Sequence, residues 1–183
     1  MPGRTGVAAV SAWLYVPAGR RCVVGAVPPV ELRVGNTGTD DVWFPGVLDG
    51  SETASRFPIY RPAVLGATDE VVAEPPAPED GLVGPLRRTD FHRLRPGETF
   101  DPTSRGRFLP LSTFATFTPA VPGTYRYRLL IDTTAEDPGA WLGKFGQQAY
   151  TDEVLPLLAG VPRVRFVTAL DVDVGPAAPG TGS

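Results

Sequence analysis

His92 is the single histidine of the chain, so any Ser-His-Asp or Cys-His arrangement must pass through it. It sits in "DFHRLRPG", which alternates like a strand running into a turn. No G-x-S-x-G elbow offers it a nucleophile to activate. A structural or surface role is expected rather than a catalytic one. Cys22 is also alone. It can form no internal disulfide, and no C-x-x-C or Cys/His set accompanies it for zinc. A small buried hydrophobe is its expected role. Carboxylates fall into short groups: Asp40 with Asp41, Asp49 with Glu52, and Asp132 with Glu136 and Asp137. Loop carboxylates hold Ca²⁺ where enough oxygens converge, but none of these groups follows the EF-hand spacing. Acidic residues also favour turns for local reasons. No metal or cofactor is expected.

Residues suited to recognition are more numerous than residues suited to catalysis. Arg87, Arg88, Arg93, Arg95, Arg105 and Arg107 crowd one stretch. Brought together by strands, they would meet an anionic ligand or an acidic protein partner; spread over outward faces, they would only solvate them. Trp13 and Trp43 lie in strand-like sequence and are expected in the core. Trp141 lies in a long apolar insertion, where it either caps the core or anchors a partner or sugar. Trp141, Phe145, Tyr150, Arg93 and Arg95 form the candidate binding set. Glycines never form G-x-G-x-x-G or a P-loop after a strand, so nucleotide binding has no support.

Composition narrows the classes further. The chain has 183 residues, enough for one domain with a substantial core, and 42% are hydrophobic, an ordinary globular share. With 21 Gly and 21 Pro and no repeat period, many turns and few helices are expected. Net charge is −3, from 17 basic and 20 acidic residues, which favours neither nucleic acid nor an anionic membrane. Lys144 is the single Lys and Asn36 the single Asn, a skew that suggests a GC-rich bacterial genome. The mildly apolar N-terminus lacks a signal-peptide pattern and no apolar run is long enough to span a bilayer, so a cytoplasmic location is expected.

The elements that must position these residues read mostly as strands. Val7 to Val16 is a first strand, with Trp13 and Tyr15 on one face. A short strand is expected around Cys22 to Val27. Val30, Leu32 and Val34 face inward, "GNTGTDD" turns, and Val42-Trp43-Phe44 returns. "SRFPIYRPAVLG" suits an edge strand, because Pro58 and Pro62 cannot donate to a central ladder. "TDFHRLRPGETF" gives a strand and a Pro-Gly turn, and "PLSTFATFTP" another strand with Phe114 and Phe117 on opposite faces. After the Pro122-Gly123 turn, Tyr125, Tyr127, Leu129 and Ile131 alternate with Arg126 and Arg128. A Tyr at this place suits a tyrosine corner, its hydroxyl returning to backbone. The final strand sets Val164 to Val174 on one face against Arg163, Arg165, Asp171 and Asp173 on the other. Between the last two strands, Asp137 to Pro162 is too long for a hairpin loop. Trp141 and Phe145 are one helical step apart, and Thr151 or Asp152 can cap a short helix through Leu158.

Together, "ELRVGNTGTDDVWF", "LRPGETF" and "FTPAVPGTYRYRLLI" resemble a bacterial Ig-like domain of the intracellular proteinase inhibitor type. The resemblance covers Glu31 to Val174 and implies an all-β sandwich that binds a protease or another protein. The sequence thus leads to an all-β, immunoglobulin-like antiparallel sandwich of seven to nine strands over residues 1–175. A flexible tail at 176–183 would follow, and a short helical insertion would precede the last strand. A non-enzymatic module with a protein partner is the leading expectation. A small-molecule or catalytic pocket lined by Trp141, Phe145 and Tyr150, or a carbohydrate-binding accessory domain, are the alternatives.

Overall fold

The computed structural model describes residues 9–77, 82–104, 106–142 and 150–177. Strands dominate, and every strand pairing is antiparallel. A three-stranded sheet runs in the order β1 (Val10–Tyr15), β2 (Glu31–Asn36), β7 (Thr99–Phe100). A two-stranded ladder joins β3 (Val42–Pro45) to β6 (Phe91–Leu94). A four-stranded sheet runs β5 (Val71–Ala73), β4 (Ile59–Leu65), β8 (Gly123–Asp132), β9 (Arg165–Val174). All three contribute to one hydrophobic cluster, with Leu32, Val34, Phe44, Tyr60, Leu94, Tyr127, Leu129 and Ile131 at its centre.

Period-two alternation explains the strands that do this. In β2, Leu32 and Val34 are buried while Glu31 and Arg33 are not. In β8, Tyr125, Tyr127, Leu129 and Ile131 are buried and Arg126 and Arg128 exposed. The Tyr125 hydroxyl donates to the Val121 carbonyl oxygen at 3.0 Å, the return to backbone that its place after Pro122-Gly123 suggested. Asn36 ties two of the sheets together. Its buried amide donates to the carbonyl oxygens of Asp40 and Leu94 at 2.8 and 2.9 Å and accepts from the Gly38 N–H at 2.9 Å. A buried amide satisfied this fully fixes the β2–β3 turn against the end of β6.

Four expectations need correction. "PLSTFATFTP" is helical, not extended: α1 spans Ser112–Thr116. The Glu52 carboxylate accepts from the Ser112 and Thr113 N–H groups at 2.8 and 3.2 Å, satisfying the donors that a helix start leaves open. Phe114 and Phe117 therefore both pack on the Tyr127 ring, at 5.0 and 6.3 Å, instead of facing apart. Trp13 is not core. Val10 and Leu14 take the buried face of β1, which leaves Trp13 outward and 40% exposed, lying over Gly35. Cys22 to Val27 forms no strand, only a parallel bridge of Val23 to Gly175, because Gly25 turns the chain at φ 80°. Finally, β4 lies inside its sheet. β5 reaches only Val64 and Leu65, however, so the Pro62 half of β4 has β8 as its sole neighbour.

Among the described residues, the insertion before β9 holds two helices, α2 (Gly139–Leu142) and α3 (Thr151–Ala159). Val154, Leu157 and Leu158 of α3 are buried, and the Gly160 carbonyl oxygen at its end accepts from the Trp43 N–H at 3.1 Å. No described helix is long and apolar enough to cross a membrane.

Candidate functional site

The sequence-predicted residues divide into those held inside the fold and those left at its surface. Trp141 is fully buried. Its Nε1–H donates to the Ala135 carbonyl oxygen at 2.9 Å, its ring packs on Phe57, and the Arg163 guanidinium lies 5.3 Å above it. It is therefore no exposed anchor for a partner or sugar, and it caps the core. Phe145 lies outside the described residues, as does Arg105. Tyr150 is exposed, with Arg87 5.6 Å above its ring. Arg93 is bound to Asp41, with Nε and Nη2 at 2.9 and 2.6 Å from Oδ2. The Arg95 backbone N–H donates to Glu98, closing the Pro96-Gly97 turn. Among the described residues, Trp141, Tyr150, Arg93 and Arg95 share no hydrogen bond, ion pair or ring contact with one another.

The arginines around them serve the framework. Arg88 lies over Trp43 at 6.0 Å. Arg107 covers Phe108 at 4.8 Å and donates to the Thr89 and Phe91 carbonyl oxygens at 3.0 and 2.6 Å. Its Nη1 also lies 3.2 Å from His92 Nδ1. Guanidinium only donates, so Nδ1 accepts and the neutral ring carries its proton on Nε2. The His92 ring stacks on Phe100 at 4.7 Å. Desolvation and the Arg107 charge hold its pKa below the usual histidine value, against the opposing pull of Glu98. Among the described residues no three His, Cys, Asp or Glu side chains converge as a metal site. Glu52 is spent on α1, and Asp49 accepts from the Gly84 N–H at 3.0 Å. Cys22 is half-buried, and burial pushes its thiol pKa up, away from a reactive thiolate.

A basic site forms elsewhere, on the outer face of the four-stranded sheet. The register sets Ala63, Arg128 and Ala169 in one row and Arg61, Leu130 and Val167 in the next. Arg165 and Val71 complete the rim of a concavity of about 530 Å³. Two of its arginines are loosely paired: Arg61 Nη2 lies 3.7 Å from Glu74 Oε2, and Arg165 Nε lies 3.5 Å from Asp132 Oδ2. Both distances exceed good hydrogen-bond length. Arg128 has no ion pair among the described residues and stands between two alanines, whose methyl groups leave space on either side. Arg126, one step along the strand, is by contrast committed to Asp171 at 2.8 and 3.3 Å and to Asp69 at 3.6 Å. Val167 is 57% exposed and Val71 51%, so the basic hollow has an apolar rim.

This arrangement offers guanidinium donors for a carboxylate and apolar surface beside them, with the Glu74 carboxylate at its edge facing Arg61. Alternation did indicate that Arg128 and Arg165 point outward. Which residues would stand beside them depended on the β4–β8–β9 register, which spans more than a hundred positions of chain. No protein-family model matches the chain, and no curated protein matches its sequence.

Proposed function

We propose that the chain is an immunoglobulin-like β-sandwich acting as a non-enzymatic interaction module. It takes an acid-bearing protein partner on the outer face of the four-stranded sheet. The sandwich reading is supported by two multi-stranded antiparallel sheets sharing one core and by the Tyr125 hydroxyl bond at the entry to β8. The resemblance to intracellular proteinase inhibitor domains agrees with it. "GNTGTDD" joins β2 to β3, Pro96-Gly97-Glu98 joins β6 to β7, and Pro122-Gly123 opens β8. The observation that carries the functional reading is Arg128, an unpaired guanidinium between Ala63 and Ala169 with Arg61 and Arg165 beside it. Guanidinium forks match carboxylates, and exposed valines at the rim add the apolar contact that protein interfaces use.

The test uses a glutamate-rich peptide titrated into isotopically labelled protein, followed by amide chemical shifts. Shifts should centre on Arg61, Arg128 and Val167. Arg128→Glu should weaken binding at least tenfold, about 1.4 kcal/mol, with the fold intact. A peptide that binds with equal affinity to Arg128→Glu, or whose shifts centre on Arg93 and Arg95, would refute this site.

A further inference from the structure

We infer that the free edge of β9 pairs with the same edge of a second copy of this chain, forming a continuous eight-stranded sheet across a twofold axis. The inference stands on strand geometry and charge, and it does not require the acid-binding reading above.

β9 pairs with β8 along its whole length on one side. On the other side its first main-chain hydrogen bond among the described residues is at Gly175, just past its end. The Gly175 N–H donates to the Cys22 carbonyl oxygen at 2.9 Å, and its carbonyl oxygen accepts from the Val24 N–H at 3.0 Å. Gly175 therefore turns both main-chain groups away from β8. Successive residues of a strand turn theirs to opposite sides, so Asp173, Asp171, Ala169, Val167 and Arg165 do the same as Gly175. None of these five main chains has a partner on that side among the described residues. A row of open donors and acceptors is a template for another strand. Beside it lies a groove of about 870 Å³ that separates Leu170–Asp173 from the Tyr15–Val23 segment, and among the described residues no strand pairs with the edge there.

Burial along β9 follows the edge. Phe166, Thr168 and Leu170 point into the core yet remain half-buried, whereas Val172 and Val174, next to the Cys22–Val24 bridge, are buried. The open part of the strand lacks cover that the bridged end has.

The sequence of β9 identifies what would supply it. On its outward face the strand begins with Arg165 and ends with Asp171 and Asp173. A defended edge carries charge that repels a copy of itself. Here the signs are segregated by end, so reversal of direction matches them. Antiparallel pairing centred on Ala169 sets Arg165 against Asp173 of the other copy, twice. It sets Val167 against Asp171 and Ala169 against Ala169, with two methyl groups at the axis. On the inward face it sets Phe166 against Val172 and Thr168 against Leu170. The hydrogen-bonding parity agrees, since the residues that meet are those whose main chains face outward. Parallel pairing would instead oppose Arg165 to Arg165 and Asp173 to Asp173. The partner strand would run from Asp173 to Arg165 and stop where the Cys22–Val24 bridge begins. Arg128 stands in the row of Ala169, so the dimer would place two Arg128 side chains about 14 Å apart across three strand spacings, above a floor of alanines.

Sedimentation equilibrium on the intact chain at micromolar concentration tests this. The expected mass is twice 19.4 kDa. Asp173→Arg should weaken association at least about tenfold, and Arg165→Asp combined with Asp173→Arg should restore it. As a second readout, Ala169→Cys in a Cys22→Ala background should form an inter-chain disulfide on mild oxidation. Paired Cα atoms about 5.5 Å apart permit that bond. Arg95→Cys in the same background should not. A monomeric wild-type chain would overturn the inference. So would a dimer indifferent to Asp173→Arg, or one in which Ala169→Cys stays reduced.

Discussion

Tyr127 carries the one buried side-chain polar atom that finds no hydrogen-bond partner among the described residues. Its ring packs edge-on against Phe114 and Phe117, and burial pushes the hydroxyl pKa well up. Tyr60 differs: its hydroxyl is also buried but donates to the Pro45 carbonyl oxygen at 2.6 Å. An unmade buried hydrogen bond costs about 1–3 kcal/mol. Tyr127→Phe should therefore be neutral or stabilising, by up to about 1 kcal/mol in urea unfolding. Tyr60→Phe, which strands a carbonyl, should destabilise. A clear loss of stability in Tyr127→Phe would mean that its hydroxyl has a partner in solution. His92 gives a pH dependence. Its folded pKa lies below the unfolded value near 6.5, through burial and Arg107, with Glu98 opposing. As pH falls, the unfolded chain takes the proton first, so stability present above about 6.5 is lost as pH drops through the folded pKa. The stability gap between wild type and His92→Gln should shift against wild type between about pH 8 and about pH 5. A gap that stays constant would show that the ring is not desolvated as described.

At the scale of elements, the two described helices between β8 and β9 pack on the core through Trp141, Leu142, Val154, Leu157 and Leu158. α2 presents Trp141 to Phe57, the Ala140 carbonyl oxygen accepts from the Phe57 N–H at 2.9 Å, and Thr133 bonds the Pro162 carbonyl oxygen at 2.6 Å. Trp141→Ala should cost about 3–5 kcal/mol, read from denaturant midpoints. A nearly unchanged midpoint would return Trp141 to the surface. Local pattern was enough to recognise β2 with its turn, the Pro96-Gly97 turn, β8 and β9, because period two and turn chemistry are written within a few residues. It was not enough for α1, whose helix start is completed by Glu52, sixty residues earlier in the chain. Trp141 was ambiguous for a related reason: its neighbours Phe57 and Arg163 come from distant segments. The candidate surface was half-legible. Outward Arg128 and Arg165 could be read, but the alanines flanking Arg128 could be placed only by the register of three strands.

Across the whole molecule, β8 is the element that most of the fold leans on. β4 and β9 flank it, its four inward side chains are buried, and its start is tied down by Tyr125. The remaining strands are less equally held. β5 touches its sheet only through Val64–Ala73 and Leu65–Val71, across a register shift, and its valines are exposed. Amide exchange follows the free energy of the smallest opening that frees each N–H. Arg128 and Leu130 of β8 turn their amides toward β4, whose Tyr60 and Val64 are fully buried in the core, so no small opening frees them. Their amides should exchange only through global unfolding, which for a domain of this size lies at about 5–15 kcal/mol. β5 should exchange through local detachment, with protection lower by several orders of magnitude. Native-state hydrogen exchange across a series of denaturant concentrations separates the two. β8 amides should show the full denaturant dependence of global unfolding and β5 amides almost none. If β8 and β5 amides merged at one free energy well below the global value, the four-stranded sheet would open as a unit. β8 would then not be the last element to yield.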